Sequence, residues 1–346
     1  MKKLILFLSL LISLASTSQI GGQNTYQFLD LDFNSRSMSL GGDFALAVDG
    51  DINLSVANPA SITDKMDNSL SLNHAIFPSG INYGQIAYGK NFEKLGTFTG
   101  HLRYVAYGSL KRYDEFGVAQ GTFTAGDYAL GIGYAKKLNE YFSIGGNFNL
   151  IFSHLESYES FGIGVDISTQ FHDPKSNITA VVIARNIGYQ IIGYTPDNHE
   201  DMPTELLAGI SYKFHHAPFK ISLMGHDLST WDLSYNIPGA VETYDVLTGD
   251  TIPVPSAGFV EKLFRHVNFG VEILPTKNFS IRLGYNINRR LALGVENRMG
   301  ISGFSAGVGF KIKKFEFDYG ISFYSASGIS NMFTITTNLN EFQRKK

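Results

Sequence analysis

The sequence of 346 residues contains no cysteine, so it can build no disulfide framework and no thiolate metal site, and it has no lipid-acceptor thiol behind a leader. Charge is scarce too. Asp, Glu, Lys and Arg make up 17% of the chain, against roughly 25% in ordinary globular domains, and the formal net charge is -3. The clustered Lys and Arg of a nucleic-acid binder are missing, so no nucleic-acid partner is expected. Long apolar runs are absent after the opening residues. That opening, 1–18, carries Lys2 and Lys3, an apolar run from Leu4 to Ala15, and the small residues Ser16 and Ser18. Its apolar stretch is shorter than the roughly 20 residues of a spanning helix, so it is expected to be a secretory signal peptide cut before Gln19.

What the chain has instead is glycine at 36 positions, aromatics at 13%, and alternation. Phe279, Ile281, Leu283, Tyr285 and Ile287 share one face of an extended run, with Ser280, Arg282, Gly284 and Asn286 on the other. Phe315, Phe317, Tyr319, Ile321 and Phe323 alternate in the same way with Glu316, Asp318, Gly320 and Ser322. One greasy face and one polar face over a membrane-spanning length is the pattern of a transmembrane antiparallel β-barrel. An exported chain of this kind belongs in the outer membrane of a Gram-negative cell, where a closed sheet satisfies its own backbone groups against surrounding lipid.

The alternation predicts about fourteen strands, at 69–76, 82–90, 96–107, 122–137, 142–154, 158–171, 178–191, 205–214, 219–229, 266–274, 279–287, 303–311, 315–324 and 332–339. Tight links at 91–95, 138–141, 172–177, 215–218, 275–278 and 312–314 each join an even strand to the next odd one. Longer links, at 108–121, 192–204, 230–265 and 288–302, fall on the opposite side with shorter ones at 77–81, 155–157 and 325–331. Short periplasmic turns and long external loops are the barrel rule, and they place both barrel ends in the periplasm. Aromatics follow several tight turns, as at Tyr141-Phe142, Phe219 and Phe279, where an interfacial girdle belongs. A soluble sandwich also alternates, but gives no reason for long loops on one side only.

Arg103, Asp127, Asp166, Arg185, Glu272, Arg282, Glu316 and Asp318 fall on the polar face and are expected to line the lumen. Two readings stand: a polar channel or a network that clamps a plug, and a satisfied structural lining. Chemistry-bearing motifs are few. The glycines of 130–134 and 300–309 lie within strands and open no helix, so they are no phosphate loop. His215 and His216 point in different directions with no third ligand near in sequence, which fits a solvated turn. His101, His154 and His226 have no partner that sequence alone supplies. No catalytic, cofactor-binding or metal site is assigned, no cofactor is expected, and the chain is not read as an enzyme. The longest external link carries Trp231, Tyr235, Tyr244, Phe259 and Phe264 on a stretch stiffened by Pro238, Pro253 and Pro255. These rings either anchor a protein partner or pack the loop onto the rim.

The segment 19–68 is too long for a simple tether. It holds Gly21-Gly22-Gln23-Asn24-Thr25-Tyr26-Gln27-Phe28-Leu29, then Arg36 ahead of Leu40-Gly41-Gly42, then Asn58-Pro59-Ala60. These motifs resemble the start of the PorV/PorQ family, FadL-like outer-membrane barrels of the type IX secretion system, and the opening is most similar to the PorQ branch. Gly307-Val308-Gly309-Phe310 and Phe317-Asp318-Tyr319 resemble the family's closing strands, although the tail runs past Phe342 into Gln343-Arg344-Lys345-Lys346 rather than ending on the aromatic. The resemblance implies a FadL-like barrel of fourteen strands over 69–346 with a plug-like segment at 19–68. It also implies a role in holding a PorZ-like surface protein, in an attachment complex with PorU and PorV, while the barrel itself catalyses nothing. A PorV-like cargo shuttle and a FadL-like transporter of hydrophobic small molecules are the alternatives.

Overall fold

The computed structural model describes residues 24–77, 80–196, 198–234, 243–244, 251–252, 257–293, 300–325 and 328–342. The expected signal peptide lies outside them. Fourteen antiparallel strands close into one barrel in simple up-and-down order. They are β1 (Ser69–Ile76), β2 (Asn82–Phe92), β3 (Gly96–Tyr113), β4 (Ala119–Lys137), β5 (Phe142–Leu155), β6 (Tyr158–Asp173) and β7 (Ile178–Ile192), then β8 (Glu205–Lys213), β9 (Phe219–Gly225), β10 (Val267–Thr276), β11 (Phe279–Asn286), β12 (Phe304–Ile312), β13 (Phe315–Ser325) and β14 (Gly328–Asn338). The seam is made by β1 and β14, in register from Ser69↔Asn338 to Ile76↔Asn331. A two-residue ladder, Thr243–Tyr244 with Thr251–Ile252, stands apart from the barrel in the longest connection.

The wall is inside out relative to a soluble protein. Leu130, Ile132, Phe148, Ile210 and Leu283 lie exposed on the outer surface, while Thr99, His101, Asn149, Ser168 and Gln170 are buried on the inner one. Lipid solvates the first set, and a polar interior solvates the second. Phe92, Tyr141, Phe142, Phe219, Phe279 and Phe315 are half-exposed next to the tight turns, forming the periplasmic aromatic girdle.

Every expected strand is present, and the differences lie at the external ends. The link expected at 108–121 is mostly strand: β3 and β4 pair out to Tyr113↔Ala119, leaving a turn closed by Asp114, whose Oδ1 accepts from Phe116 N at 3.0 Å and Val118 N at 2.8 Å. Register shifts near Gly108 separate this outer extension from the regular ladder. β9 ends at Gly225 rather than 229, because Asp227 has φ 51, which extended pairing cannot tolerate. β14 starts earlier, at Gly328. The external links also hold helices: α3 (Phe259–Arg265) and α4 (Ile287–Leu293), the latter begun by Asn286, whose side chain accepts from Arg289 N at 2.7 Å.

The segment before β1 packs inside the wall. It contains α1 (Ser35–Ser39) and α2 (Leu54–Ala57), with short 3-10 turns at Gln27–Asp30, Pro59–Ser61 and Asp64–Met66. Asn34 caps α1 by accepting from Ser37 N at 2.8 Å. Phe28, Leu29, Phe33 and Met38 bury against the inward apolar residues Ala75, Tyr83, Val105, Ile151 and Met332, in the external half of the barrel. Leu40, Phe44, Leu46 and Leu54 pack on Val181, Ile183, Leu207 and Met224. Ile52, Ile62 and Met66 complete the periplasmic end with Ala87.

Candidate functional site

The segment crosses the barrel from one end to the other. Thr25 N donates to Asp201 O at 2.9 Å, in the external link between β7 and β8. Asn68 N donates to Gly89 O at 2.8 Å beside the periplasmic turn of β2 and β3. Between these points two sequence motifs lie flush against the wall. Gly41 and Gly42 have φ of 98° and 96°, which suits glycine alone. Their turn lies so close to β11 that a Cβ on Gly284 would collide with the backbone of Leu40 and Gly41. The second approach is Asn58-Pro59-Ala60. Asn58 Nδ2 donates to Gln170 Oε1 at 2.7 Å, Ala60 N to Ser168 Oγ at 2.7 Å, and a Cβ on Gly145 of β5 would strike the Pro59–Ala60 peptide.

Charge holds the middle. Glu272, on β10 and 1% exposed, accepts from Arg36 Nε at 2.9 Å and Nη2 at 3.0 Å, and from Arg282 Nε at 3.2 Å. Lys220 Nζ of β9 approaches it at 3.4 Å. Arg36 also meets Asp49 at 2.8 Å and Asp51 at 3.2 Å, and Arg282 pairs with Asp318. A bidentate guanidinium–carboxylate pair in a desolvated lumen is among the stronger polar contacts. On the opposite wall Arg185 pairs with Asp43 at 2.8 Å and with Glu205, and lies 3.8 Å from Asp30. Asp166 accepts from Asn149 Nδ2 at 2.9 Å and Asn186 N at 2.8 Å. Arg103 reaches Leu29 O at 3.4 Å and lies over the Phe33 ring. Glu316 sits lower, exposed on a polar vestibule of ≈ 470 Å³ that opens at the periplasmic end between Lys65, Lys277 and Lys314.

The segment also spans the seam. Asn53 Oδ1 accepts from Asn73 Nδ2 of β1 at 2.8 Å, while Asn53 Nδ2 donates to Thr336 Oγ1 of β14 at 3.2 Å. Ser35 Oγ donates to Thr334 Oγ1 of β14 at 2.8 Å, and Thr334 in turn reaches Asn73.

At the external mouth, Trp231 lies 5.2 Å from the Phe259 ring and 6.0 Å from His266, centroid to centroid. His266 Nε2 donates to Trp231 O at 3.2 Å. Lys262 Nζ of α3 meets Asp232 Oδ2 at 2.6 Å, and that bond, with the Ser234 hydroxyl, holds the Asp232 carboxyl down at about 2. Phe259 is 68% exposed, and Val260, Leu263 and Phe264 also face solvent.

The structure therefore brings Arg103, Asp166, Arg185, Glu272, Arg282 and Asp318 to the inner face and gives each a partner there, with Glu316 on the vestibule. Of the loop aromatics, Trp231 and Phe259 meet, Phe264 is exposed on α3, Tyr244 sits in the short ladder, and Tyr235 lies outside the described residues. His215 and His216 are exposed in a periplasmic turn, with His215 Nε2 bonded to Lys175 O at 2.8 Å. Sequence reasoning missed Lys220, Asp43 and Asn53. Lys220 alternates with Ser222 on the inward face, so period two could have found it; nothing in the sequence marks the other two.

No family model matches the chain, and no curated relative matches it. Among solved structures, the toluene transporter TodX of Pseudomonas putida is similar with TM-score 0.52 at 12% identity, covering 89% of this chain and 97% of that one. The toluene transporter TbuX of Ralstonia pickettii gives TM-score 0.52 at 13% identity, covering 90% and 99%. The chain has the fold of a FadL-like outer-membrane β-barrel, an architecture that its solved neighbours use as channels and transporters.

Proposed function

We propose that this chain is the outer-membrane barrel of a type IX secretion attachment complex. It anchors a PorZ-like surface protein, together with PorU-like and PorV-like components, so that exported cargo can be processed and fixed to the cell surface. In this reading residues 1–18 are a signal peptide, 19–68 a plug, and 69–346 the barrel, which performs no catalysis. The observation that carries it is the filled lumen: at the Leu-Gly-Gly and Asn-Pro-Ala motifs that resemble the family, the segment lies flush against the wall. A barrel so filled serves as a rigid platform rather than a pore. Its mouth offers Trp231 and Phe259 in contact and Phe264 exposed nearby, the residue types that dominate interface energetics.

A second reading, a FadL-like transporter of hydrophobic small molecules, is favoured by the fold and by the inward apolar wall residues Tyr83, Val105, Ile151 and Met332, which the plug covers and which would line a binding pocket if it moved. A PorV-like cargo shuttle shares the fold and differs in its partner. The experiment is a mild-detergent pull-down of the tagged protein from its own outer membrane. Near-equal recovery of a PorZ-like surface protein supports the anchor, cargo or translocon alone supports the shuttle, and a lone barrel carrying bound lipid supports transport. Deleting 234–256 should leave an inserted barrel that no longer retains the partner; retention by the deleted form would sink this docking site.

A further inference from the structure

We infer a binding site for a divalent transition-metal ion where the N-terminal segment meets the external ends of β8 and β9, with Asp43, Glu205 and His226 as its ligands. One ligand atom from each of the three lies within 4.8 Å of the others. Metal–ligand bonds of about 2.0–2.2 Å would draw them slightly closer, which side-chain torsions can supply. Two carboxylates and one imidazole leave a further position open, as three-ligand sites do.

Two independent features point to a cation here. The first is His226 itself. The residue is 5% exposed, and its Nε2 is buried with no hydrogen-bond partner. Its other nitrogen, Nδ1, bonds the Asp227 carboxylate at 2.9 Å. A carboxylate on one ring nitrogen fixes the tautomer that leaves the other as a free lone pair, the arrangement by which proteins orient a metal-binding imidazole. A buried nitrogen without a partner is otherwise costly.

The second feature is the charge around it. Asp30, Asp43, Glu205 and Asp227 converge on this corner, and among the described residues Arg185 is the guanidinium that serves Asp30, Asp43 and Glu205. Glu205 also accepts from Asp227 N at 3.0 Å, so Asp227 orients both a ligand carboxylate and the histidine. Carboxylates hold about four lone-pair positions each, enough to serve Arg185 and an ion together. The imidazole selects against calcium and magnesium, which take oxygen ligands, and favours ions such as zinc. A bound ion would tie Asp43 of the segment to the wall beside the loop that carries Trp231, since His266 bonds His226 O at 2.9 Å.

The test uses the full barrel folded in detergent, stripped with EDTA, dialysed and loaded with zinc, with bound metal measured by mass spectrometry. One zinc per chain is expected, unaffected by a hundredfold excess of calcium. His226→Ala and Glu205→Gln should each weaken binding at least tenfold, Asp227→Asn should weaken it by about 10–100-fold through the imidazole's orientation, and the double change His215→Ala/His216→Ala should leave it unaltered. Asp43→Asn, in the segment rather than the wall, serves if a wall variant does not fold. No stoichiometric zinc on the wild-type barrel, or zinc lost with His215 and His216 rather than His226, overturns the site.

Discussion

Replacing Glu272 with glutamine should release the N-terminal segment without opening the wall. The glutamine keeps the shape of the side chain and removes its charge. Arg36 then retains Asp49 and Asp51, and Arg282 retains Asp318, but Lys220 loses its carboxylate and keeps the Leu46 carbonyl and the face of the Phe44 ring. Removing one partner of a buried ion pair costs about 3–5 kcal/mol. The surviving pairs put the expected cost near the lower end, about 3 kcal/mol, which at about 1.4 kcal/mol per factor of ten multiplies the undocked population roughly a hundredfold. Amide hydrogen exchange on the detergent-folded barrel reads this directly. Amides of 24–68, such as Met38 N on Asn34 O at 3.1 Å, should exchange about a hundredfold faster by that estimate, with strand amides unchanged. The double variant Glu272→Gln/Lys220→Met should recover part of the loss, because it removes the stranded cation. Unchanged exchange in 24–68, or equal acceleration in segment and strands, would refute the claim that this network docks the segment.

Gly284→Val should displace the Leu40-Gly41-Gly42 turn at a cost of about 1–3 kcal/mol, seen as protease cleavage within 24–68 while the barrel still migrates as folded on unheated gels; a segment as resistant as wild type would count against the close approach. Ile132→Arg places a charge on the lipid face and should lower stability by about 2–4 kcal/mol if it sits at the midplane, measured as a shift in the urea midpoint of bilayer-folded protein, with a cost under about 1 kcal/mol contradicting the assignment of that face. The chain has one tryptophan, Trp231, next to Asp232, so its emission reports on the external loop alone. Asp232 is held at about 2, below the roughly 3.9 of a free aspartate, so its bond to Lys262 is fully present above about pH 4 and fades as pH falls toward 2. Emission should stay flat from pH 7 to 5 and change between about 4 and 2, with Lys262→Met moving the midpoint upward; a flat response through pH 2 would show that the pair does not hold the loop.

The strands were legible because lipid and lumen impose opposite demands on alternate residues, so period two survives wherever the chain crosses the membrane. It failed above the bilayer. Ser109, Lys111, Arg112 and Gln120 are exposed strand residues beyond the lipid-facing stretch, so the outer part of β3 and the start of β4 carry no apolar stripe to read. The helix at Ile287 was hidden for a related reason, since the alternation of β11 runs on into it and only the Asn286 cap marks the break. The inward charges were legible one by one, and their pairings were not. Arg36 and Glu272 are 236 residues apart, and no local pattern joins them. His226 illustrates the same limit: its neighbours in space come from the segment and from a different strand, so sequence shows a histidine and the fold supplies its surroundings.

The bonds from Asn53 and Ser35 across β1 and β14 bear on how such a chain is made. A cylinder of antiparallel strands is finished only when its first and last strands find each other, and those are the two most distant in time as the chain emerges. Here Asn53, in the segment that precedes β1, bonds both strands at once and Ser35 bonds the last, so the first strand carries with it a docking face for the last. The inner segment is thus placed where a mandrel for the final join would be. Substituting Asn53 or Ser35 would be felt first in the rate at which newly made chains become complete cylinders, and only afterwards in the resistance of the finished ones to heat.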